Sequence, residues 1–323
     1  KMDAVMEKFH ALHEMESLAP LFTVLIVLGA ISLLSLIHDW VRMIWSMFFR
    51  SGKNMKKFGS WAIVTGATDG IGKGMAFEFA KKGLNVVLIS RTQSKLDDCA
   101  KELLEKYPKV DVKVLAIDFA KFDSAGKKKV EGLVRDMDVG VLVNNVGISY
   151  PYPQYFNELD DDRVEDLVRL NVDSTVWMTR AVLPGMMTRK RGAIVNMSSA
   201  AGVSTSPLLS GYSGAKGFVT AFSKSLNAEL KGKGIHVQCQ VPLFVATKLA
   251  KIRKTSLLVP SPAGYARSAV AAIGYDSVIS PYWSHRLEMY VLDALPQFIS
   301  NRIVFSMHAD LRKRGMKKDN KQA

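Results

Sequence analysis

Hydrophobic residues follow two different patterns along the chain. One uncharged, mostly apolar run extends from Ser17 to His38, and after Phe58 six shorter apolar runs alternate with longer mixed segments. The short runs are continuous rather than alternating, as expected of parallel strands that are covered on both faces. We therefore predict strands at 61–65, 85–90, 111–117, 139–145, 192–198 and 235–241.

The segments between these strands have the length and apolar spacing of helices. The clearest of them are 71–82, 93–106, 160–188 and 212–231. Strands and helices that alternate in this way indicate an α/β fold, a doubly wound parallel sheet of the Rossmann type.

The first apolar run is long enough to cross a membrane. Its 22 uncharged residues, at about 1.5 Å each, match a bilayer core of roughly 30 Å. A buried core helix and a cleaved signal peptide are the alternatives, but the run is too long for the apolar region of a typical signal peptide, and a basic stretch rather than a small-residue cleavage site follows it. We predict a transmembrane helix at about 17–38.

The charges on either side of this run predict its orientation. Acidic residues outnumber basic ones in 1–16, whereas the segment 39–57 holds five basic residues against Asp39 alone. Under the positive-inside rule the rest of the chain then faces the cytosol. Residues 1–57 are predicted to form a membrane anchor followed by a basic linker.

The amino-acid composition excludes two classes of protein, disordered basic tails and secreted disulfide-rich domains. Hydrophobic residues make up 48% of the chain, too many for a disordered basic tail. Cys99 and Cys239 are the only cysteines, which is too few for a secreted disulfide framework and offers no paired metal-ligand spacing. We predict no metal site.

The net charge of +14 is concentrated in two places. Residues 230–275 contain seven basic and no acidic side chains, and residues 302–323 contain seven basic side chains against Asp310 and Asp319. Neither segment contains a nucleic-acid-binding motif, so we expect no nucleic acid partner. An anionic membrane surface and a phosphate-bearing substrate both remain open as partners.

The first strand leads into a glycine-rich turn with the sequence TGATDGIG. Gly66, Gly70 and Gly72 lie directly after the strand and open the next helix. Such a turn lets the backbone approach a pyrophosphate seated at the helix N-terminus. Where an NAD enzyme would hold a carboxylate after the second strand, this chain has Ser90 and Arg91. The Arg91 guanidinium favours a 2′-phosphate, and hence NADP(H).

A second set of residues, Ser199, Tyr212 and Lys216, is suited to transfer a proton. Tyr212 and Lys216 are four residues apart in a predicted helix, thirteen residues after Ser199 at a strand end. The spacing puts phenol and ammonium on one helix face. We expect the ammonium to lower the pKa of the phenol, which could then pass a proton to a carbonyl oxygen.

These motifs resemble the short-chain dehydrogenase/reductase family over about residues 58–281. Besides the two sets above, the resemblance rests on Asp118, the Asn144-Asn145-Val-Gly147 segment, and Asn171 in RLNVDST. It departs mildly from the family pattern in NNVG for NNAG and in Pro242-Leu243 for PG.

The resemblance implies a role for each matching residue. Tyr212 would be the general acid, Ser199 would bond the substrate carbonyl, Lys216 would hold the nicotinamide ribose, and Asn171 would hold a water leading from Lys216 to solvent. Asn144 would support the sheet. NADPH or NADP+ would lie against Gly66, Thr68, Asp69, Gly70, Ile71, Gly72, Arg91, Asp118, Asn145, Gly147, Tyr212, Lys216 and Thr247.

Further segments resemble the microsomal branch of the family, which reduces 3-oxoacyl-CoA in very-long-chain fatty acid elongation. The anchor, ISYPYPQYF (148–156), VPLFVATKLAKIRK (241–254) and PYWSH (281–285) carry this likeness. It implies a single-pass protein of the endoplasmic reticulum membrane, a possible contact with other elongation enzymes, and a possible homodimer. The basic residues expected to bind CoA phosphates are Lys248, Lys251, Arg253 and Lys254.

Several alternatives stay open at this level. The same branch includes 17β-hydroxysteroid dehydrogenases, for which Tyr212 and Ser199 would serve identically, and a non-catalytic scaffold or lipid-droplet surface protein is a third reading. The basic residues after the sixth strand could instead face solvent or anionic lipid. Residues 282–323 are expected to associate with membrane or to cap the substrate, with Pro296 arguing against a second span. Lys317 and Lys318 are not at the usual position of a dilysine retrieval signal.

Overall fold

The computed structural model describes residues 2–320, and for residues 3–17 it describes the backbone only. The chain divides into two units, 1–51 and 52–323. The acidic side chains before the apolar run, and Lys321 of the basic tail, therefore lie outside the described part.

The first unit is helix α1 (Met2–Phe48). Within the described residues, its segment Leu18–Phe48 is the one helix that is long and apolar enough to cross a membrane. Its apolar side chains from Leu18 to Ile37 are exposed, with Ile26 at 71% and Leu34 at 66%. The helix contains the predicted span and continues ten residues beyond His38.

The second unit contains a parallel sheet of seven strands in the order β3-β2-β1-β4-β5-β6-β7. The six predicted strands are confirmed to within one residue at each end. β7 has two residues, too few to leave a sequence signal. The strands are β1 (Trp61–Thr65), β2 (Asn85–Ser90), β3 (Val112–Ala116), β4 (Val139–Asn144), β5 (Gly192–Met197), β6 (Ile235–Gln240) and β7 (Val278–Ile279).

Helices cover both faces of this sheet, which confirms the doubly wound α/β fold. The predicted segment 160–188 is two helices rather than one, and the last three helices lie beyond the predicted ones. The helices are α2 (Gly70–Lys81), α3 (Gln93–Lys106), α4 (Ser124–Val134), α5 (Asp161–Val168), α6 (Ser174–Arg189), α7 (Ser210–Glu229), α8 (Pro262–Ala271), α9 (Trp283–Ala294) and α10 (Gln297–Asp319).

A π-helical turn at residues 169–173 separates α5 from α6. Inside it, the Asn171 side-chain amide donates to the carbonyl oxygens of Leu167, at 2.9 Å, and Ile148, at 3.0 Å. A side chain that bonds the carbonyl one turn back competes with the helical ladder. Such turns are frequent at functional sites.

Each face of the sheet has its own hydrophobic core. One core includes Phe79 of α2 and Tyr265 of α8, both at 0% exposure, and the other includes Met178 of α6. Burying one such side chain contributes about 1.5–3 kcal/mol. Met55, at 1% exposure, belongs to the first core, which explains why the second unit begins at Gly52, within the predicted linker.

The chain order of the strands reverses between β1 and β4. In sheets of this kind, ligands bind in the crevice outside the carboxyl ends of the strands at such a reversal. The glycine-rich turn follows β1 and the Asn-Asn-Val-Gly segment begins at the end of β4, so both motifs meet at this crevice.

Candidate active site

The glycine-rich turn occupies residues 66–69, between β1 and α2. Gly66 and Gly70 have φ values of +64° and +55°, in the left-handed region that side chains other than glycine disfavour. The Asp69 carboxylate caps α2 by accepting from the Gly70 N–H at 2.7 Å. The start of α2 presents backbone N–H groups and the positive end of the helix dipole to this crevice, as an anion site requires.

Two neighbouring segments hold this turn in place. Asn145 donates through its side-chain amide to Thr65 O at 3.1 Å, and its backbone N–H donates to Thr65 Oγ1 at 2.9 Å. Thr68 and Ser90 hydroxyl oxygens are 3.0 Å apart, so the end of β2 lies beside the turn. Half-buried Ile71 packs against the first core.

The residues at the end of β2 are suited to bind a nucleoside that carries a phosphate group. Arg91, directly after β2, is exposed, and no acidic residue occupies position 90 or 91. Asp118, after β3, accepts from the Ala120 N–H at 3.1 Å and so shapes the next turn. Together with the glycine-rich turn, these residues fit an NADP(H) molecule lying across the carboxyl ends of β1–β3.

The segment after β6 lies above the glycine-rich turn. If Gly70 carried a Cβ, that atom would stand 3.3 Å from Thr247 Cγ2. Lys248 Nζ is 2.8 Å from Asp69 Oδ2, and this ion pair is largely exposed. Burial raises the pKa of Asp69, but its hydrogen bonds with Lys248 and the Gly70 N–H outweigh that effect, and the net pKa is lowered.

Tyr212 and Lys216 lie one turn apart on α7, and Ser199 follows β5. Lys216 Nζ is 5.9 Å from the centre of the Tyr212 ring and donates to Met197 O at 2.9 Å. Ser198 Oγ donates to Lys216 O at 2.9 Å. The structure thus brings the three residues predicted for proton transfer to one point at the carboxyl ends of β4 and β5.

The electrostatics of this cluster differ from the sequence-based expectation. Burial raises the pKa of the Tyr212 phenol, and a hydrogen bond with Ser199 only partly opposes this. Burial also lowers the pKa of Lys216 to about 8. The net pKa of Tyr212 is therefore raised in this structure rather than lowered as expected, and burial is its largest cause. A protonated phenol is the form that donates a proton.

Asn171 and Gly147 complete the buried side of the cluster. A Cβ on Gly147 would stand 2.5 Å from Asn171 Oδ1 and 3.1 Å from Lys216 Nζ, so only glycine leaves room there. Asn171 Oδ1 is buried and has no hydrogen-bond partner among the described residues. An unpartnered acceptor beside an ammonium group is suited to hold a water molecule.

A buried polar chain positions α7 against the sheet. The Asn144 side-chain amide donates to Asn196 Oδ1 at 2.8 Å, and the Asn196 amide donates to Ser223 Oγ of α7 at 2.9 Å. Asn144 therefore acts inside the sheet, as the resemblance implied, while Asn145 contacts the glycine-rich turn.

Three side chains near the site were not identified as functional from the sequence. Tyr150 Oη accepts from the Gly211 N–H, directly before Tyr212, at 2.9 Å. Arg312 of α10 makes two hydrogen bonds to Glu158, at 2.5 and 2.7 Å. Tyr150 lies in the ISYPYPQYF motif, and Glu158, the partner of Arg312, lies just after it. This motif contributed to the resemblance with the microsomal branch, but its residues predicted no specific chemical role.

The four basic residues predicted to bind CoA phosphates are not alike. Lys248 reaches toward the glycine-rich turn through Asp69. The other three are exposed farther along the same segment: Lys251, Arg253 and Lys254.

Comparison with known proteins identifies a family and named relatives. The family model described as short chain dehydrogenase matches residues 60–257. A very-long-chain 3-oxoacyl-CoA reductase from Homo sapiens is 45% identical over 265 residues, covering 81% of this chain and 84% of that protein. One from Emericella nidulans is 39% identical over 310 residues, covering 92% and 89%.

Solved structures give the same fold. A short-chain dehydrogenase from Sphingobium yanoikuyae in complex with NADPH matches with a TM-score of 0.60 and 30% identity, covering 66% of this chain and 83% of that one. A 7beta-hydroxysteroid dehydrogenase matches with a TM-score of 0.70 at 22% identity, covering 78% and 99%, and is a likeness of fold alone.

Proposed function

The chain belongs to the short-chain dehydrogenase family, and on that premise we propose that it reduces 3-oxoacyl-CoA to 3-hydroxyacyl-CoA with NADPH in very-long-chain fatty acid elongation. It is an NAD(P)-dependent oxidoreductase. Two very-long-chain 3-oxoacyl-CoA reductases, 39% and 45% identical to this chain over most of their own length, support 3-oxoacyl-CoA as the substrate class.

One observation carries the chemistry: a half-buried phenol, a serine hydroxyl and a lysine ammonium meet at the carboxyl ends of β4 and β5. In the proposal Ser199 Oγ donates a hydrogen bond to the 3-oxo oxygen, and Tyr212 Oη gives that oxygen a proton. Lys216 and a water on Asn171 Oδ1 return a proton to Tyr212. NADPH, when bound, supplies the hydride.

The cofactor would be held by residues that follow β1, β2, β3, β4 and β6, and by Lys216 of α7. The backbone of the glycine-rich turn would take the pyrophosphate, supported by Thr68, Asp69 and Ile71, and Arg91 would pair with the 2′-phosphate. Asp118 would contact the adenine. Asn145, Gly147, Lys216 and Thr247 would hold the nicotinamide end.

The exposed basic residues Lys251, Arg253 and Lys254 would bind the CoA phosphates. Their support is charge complementarity, since residues 230–275 contain no acidic side chain and CoA carries several phosphate charges. Lys248 would contribute from the cofactor side, because it already contacts Asp69.

In this proposal residues 58–281 form the catalytic domain and residues 282–323 cap the substrate. The contacts of α10 favour capping over membrane association. Nδ1 of the buried His308 side chain is 2.7 Å from Pro207 O, and Arg312 forms a salt bridge with Glu158. A cavity of about 230 Å³ lies between residues 203–205 and the helices α9 and α10.

The candidate membrane helix supports a membrane-bound reductase. We place the anchor and linker in residues 1–57, in the endoplasmic reticulum membrane, with the catalytic domain in the cytosol. The basic charges in 42–57 support this orientation through the positive-inside rule. Membrane lipid, other elongation enzymes and a second copy of the chain are the proposed partners.

The test of this function uses the full chain in detergent, with NADPH oxidation followed by absorbance. A long 3-oxoacyl-CoA should be turned over with a much higher kcat/KM than a 17-ketosteroid, and Tyr212→Phe should abolish both reactions. A higher kcat/KM for the steroid would overturn the substrate assignment. Equal rates for the wild-type chain and the variant on every ketone would overturn catalysis.

The CoA contacts have a separate test. Replacing Lys251, Arg253 and Lys254 together by Ala should raise KM for the acyl-CoA and leave a short acyl N-acetylcysteamine thioester unaffected. The matched control replaces exposed Lys231 and Lys233, which lie before β6, at the opposite end of that strand from the basic cluster. Equal losses with both thioesters would argue against phosphate binding.

A further inference from the structure

Residues 243–258, which we call the β6 loop, connect β6 to the segment leading into α8. Leu249 and Leu257 in this loop are 56% and 72% exposed, whereas Val245 is buried in the first core and the Ala246 N–H donates to Pro260 O at 3.0 Å. At one point the loop meets the glycine-rich turn closely, through Thr247 beside Gly70 and Lys248 beside Asp69. In addition to these contacts, both ends of the loop are bonded to another element, helix α9.

The first turn of α9 ties both ends of the β6 loop. His285 is fully buried, its Nδ1 accepts from the Leu243 N–H at 3.3 Å, and its Nε2 is 3.0 Å from Phe244 O. The neighbouring Ser284 Oγ donates to Leu258 O at 3.5 Å. Two consecutive residues, the last two of the PYWSH motif, thus join the beginning of the loop to its end.

The partners of His285 determine its protonation. A carbonyl oxygen can only accept, so Nε2 must carry the hydrogen, and Nδ1 must be bare to accept from Leu243. The ring centres of Tyr265 and Tyr282 lie 5.9 and 5.3 Å away. Burial lowers the pKa of His285 to about 4, so the ring is neutral at physiological pH and keeps both hydrogen bonds.

We propose that His285 is a positioning residue, which holds the β6 loop closed so that Thr247 and Lys248 stay over the glycine-rich turn. It touches neither substrate nor cofactor in this role. The effect on cofactor binding rests on the proposed function, whereas the closure of the loop does not.

The experiment measures loop opening directly with trypsin on the full chain in detergent without cofactor. The loop contains exposed cleavage sites at Lys248, Lys251, Arg253 and Lys254, and mass spectrometry resolves each cut. His285→Ala should speed cleavage there by roughly tenfold, the factor that corresponds to about 1.4 kcal/mol, within the range for losing two hydrogen bonds.

Three further variants separate positioning from general destabilisation. His285→Gln, which can still donate to Phe244 O, should restore part of the protection. Ser284→Ala should open the loop less than His285→Ala. The matched control is His308→Ala, since His308 is also a buried histidine bonded to a backbone carbonyl, and it should leave the β6 loop sites as slow as in the wild-type chain.

A second measurement connects closure to the cofactor. His285→Ala should weaken NADPH binding, followed by cofactor fluorescence, and raise KM for NADPH severalfold more than it lowers kcat. Unchanged cleavage in His285→Ala, equal acceleration in His308→Ala, or acceleration at every tryptic site including Lys231 and Lys233 would each overturn the proposal. A loop that opens in a chain without reductase activity would instead refute the proposed function alone.

Discussion

Replacing Lys216 by methionine should make the protein more stable at neutral pH while removing its activity. Lys216 is 5% exposed, and burial lowers its pKa from an ordinary 10.5 to about 8. One pKa unit corresponds to about 1.4 kcal/mol of difference between the two protonation states. Keeping the buried ammonium charged at pH 7 therefore costs the folded state about 3 kcal/mol.

Methionine removes this cost but also a hydrogen bond. Lys216 Nζ donates to Met197 O at 2.9 Å, and losing a donor to a buried carbonyl costs about 1 kcal/mol. We expect a net gain of about 2 kcal/mol in the free energy of unfolding at pH 7. Side-chain volume is nearly conserved, so repacking adds little.

The sign of the pH dependence is a stricter check than the magnitude. Between pH 8 and 10.5 the unfolded chain binds the Lys216 proton more tightly than the folded one, so stability of the wild-type chain rises with pH across this window. The advantage of the variant should therefore shrink across it and reverse near the upper end, where the lost hydrogen bond of about 1 kcal/mol is the main remaining difference.

The assay is urea unfolding of the cofactor-free full chain in detergent, followed by tryptophan fluorescence at several pH values from neutral to alkaline. NADPH oxidation measured on the same samples should be absent in the variant at every pH. A variant that is less stable at neutral pH, or a stability difference that does not change with pH, would refute the reasoning.

Three further predictions concern the sheet, the turn and the cap. Asn196→Leu removes two buried hydrogen bonds, with Asn144 and with Ser223, and should lower the free energy of unfolding by about 1–3 kcal/mol; unchanged urea midpoints would contradict this. Gly70→Ala places a side chain on a residue with φ of +55°, which costs about 1–2 kcal/mol of strain, and it should weaken NADPH binding. In the control Gly132→Ala the added Cβ meets no atom within 4 Å, so the free energy of unfolding should stay the same or rise. Arg312→Gln cannot form the paired hydrogen bonds to Glu158 and should expose α10 to proteolysis and raise KM for long acyl-CoA; unaltered α10 protection would count against the cap.

Local patterns in the sequence were sufficient for most of the sheet. Strands such as β2 are continuous runs of buried aliphatic residues, and the period and length of such runs identify a parallel strand without knowledge of its neighbours. The glycine-rich turn and the Tyr212–Lys216 spacing are equally local, because one turn of helix or one strand end contains all the residues involved.

The protonation properties of the site required the tertiary structure. A four-residue spacing places Lys216 near Tyr212, but the sequence cannot report that Lys216 is buried or that its ammonium donates to Met197 O. The desolvation of a titratable group depends on all the atoms that pack around it in the folded chain. For Tyr212 this desolvation raises the pKa, whereas the sequence predicted that it would be lowered. The π-helical turn at Asn171 was likewise invisible, since it depends on Ile148 from another segment.

The sequence by itself therefore determined the fold class, the long apolar helix near the N-terminus and the residues available for chemistry, because these depend on neighbours along the chain. Only the tertiary structure decided how those residues are held and charged. His285 is more than forty residues from Leu243, and Arg312 more than a hundred and fifty from Glu158. Contacts over such separations form only when the chain packs, so no local pattern records them.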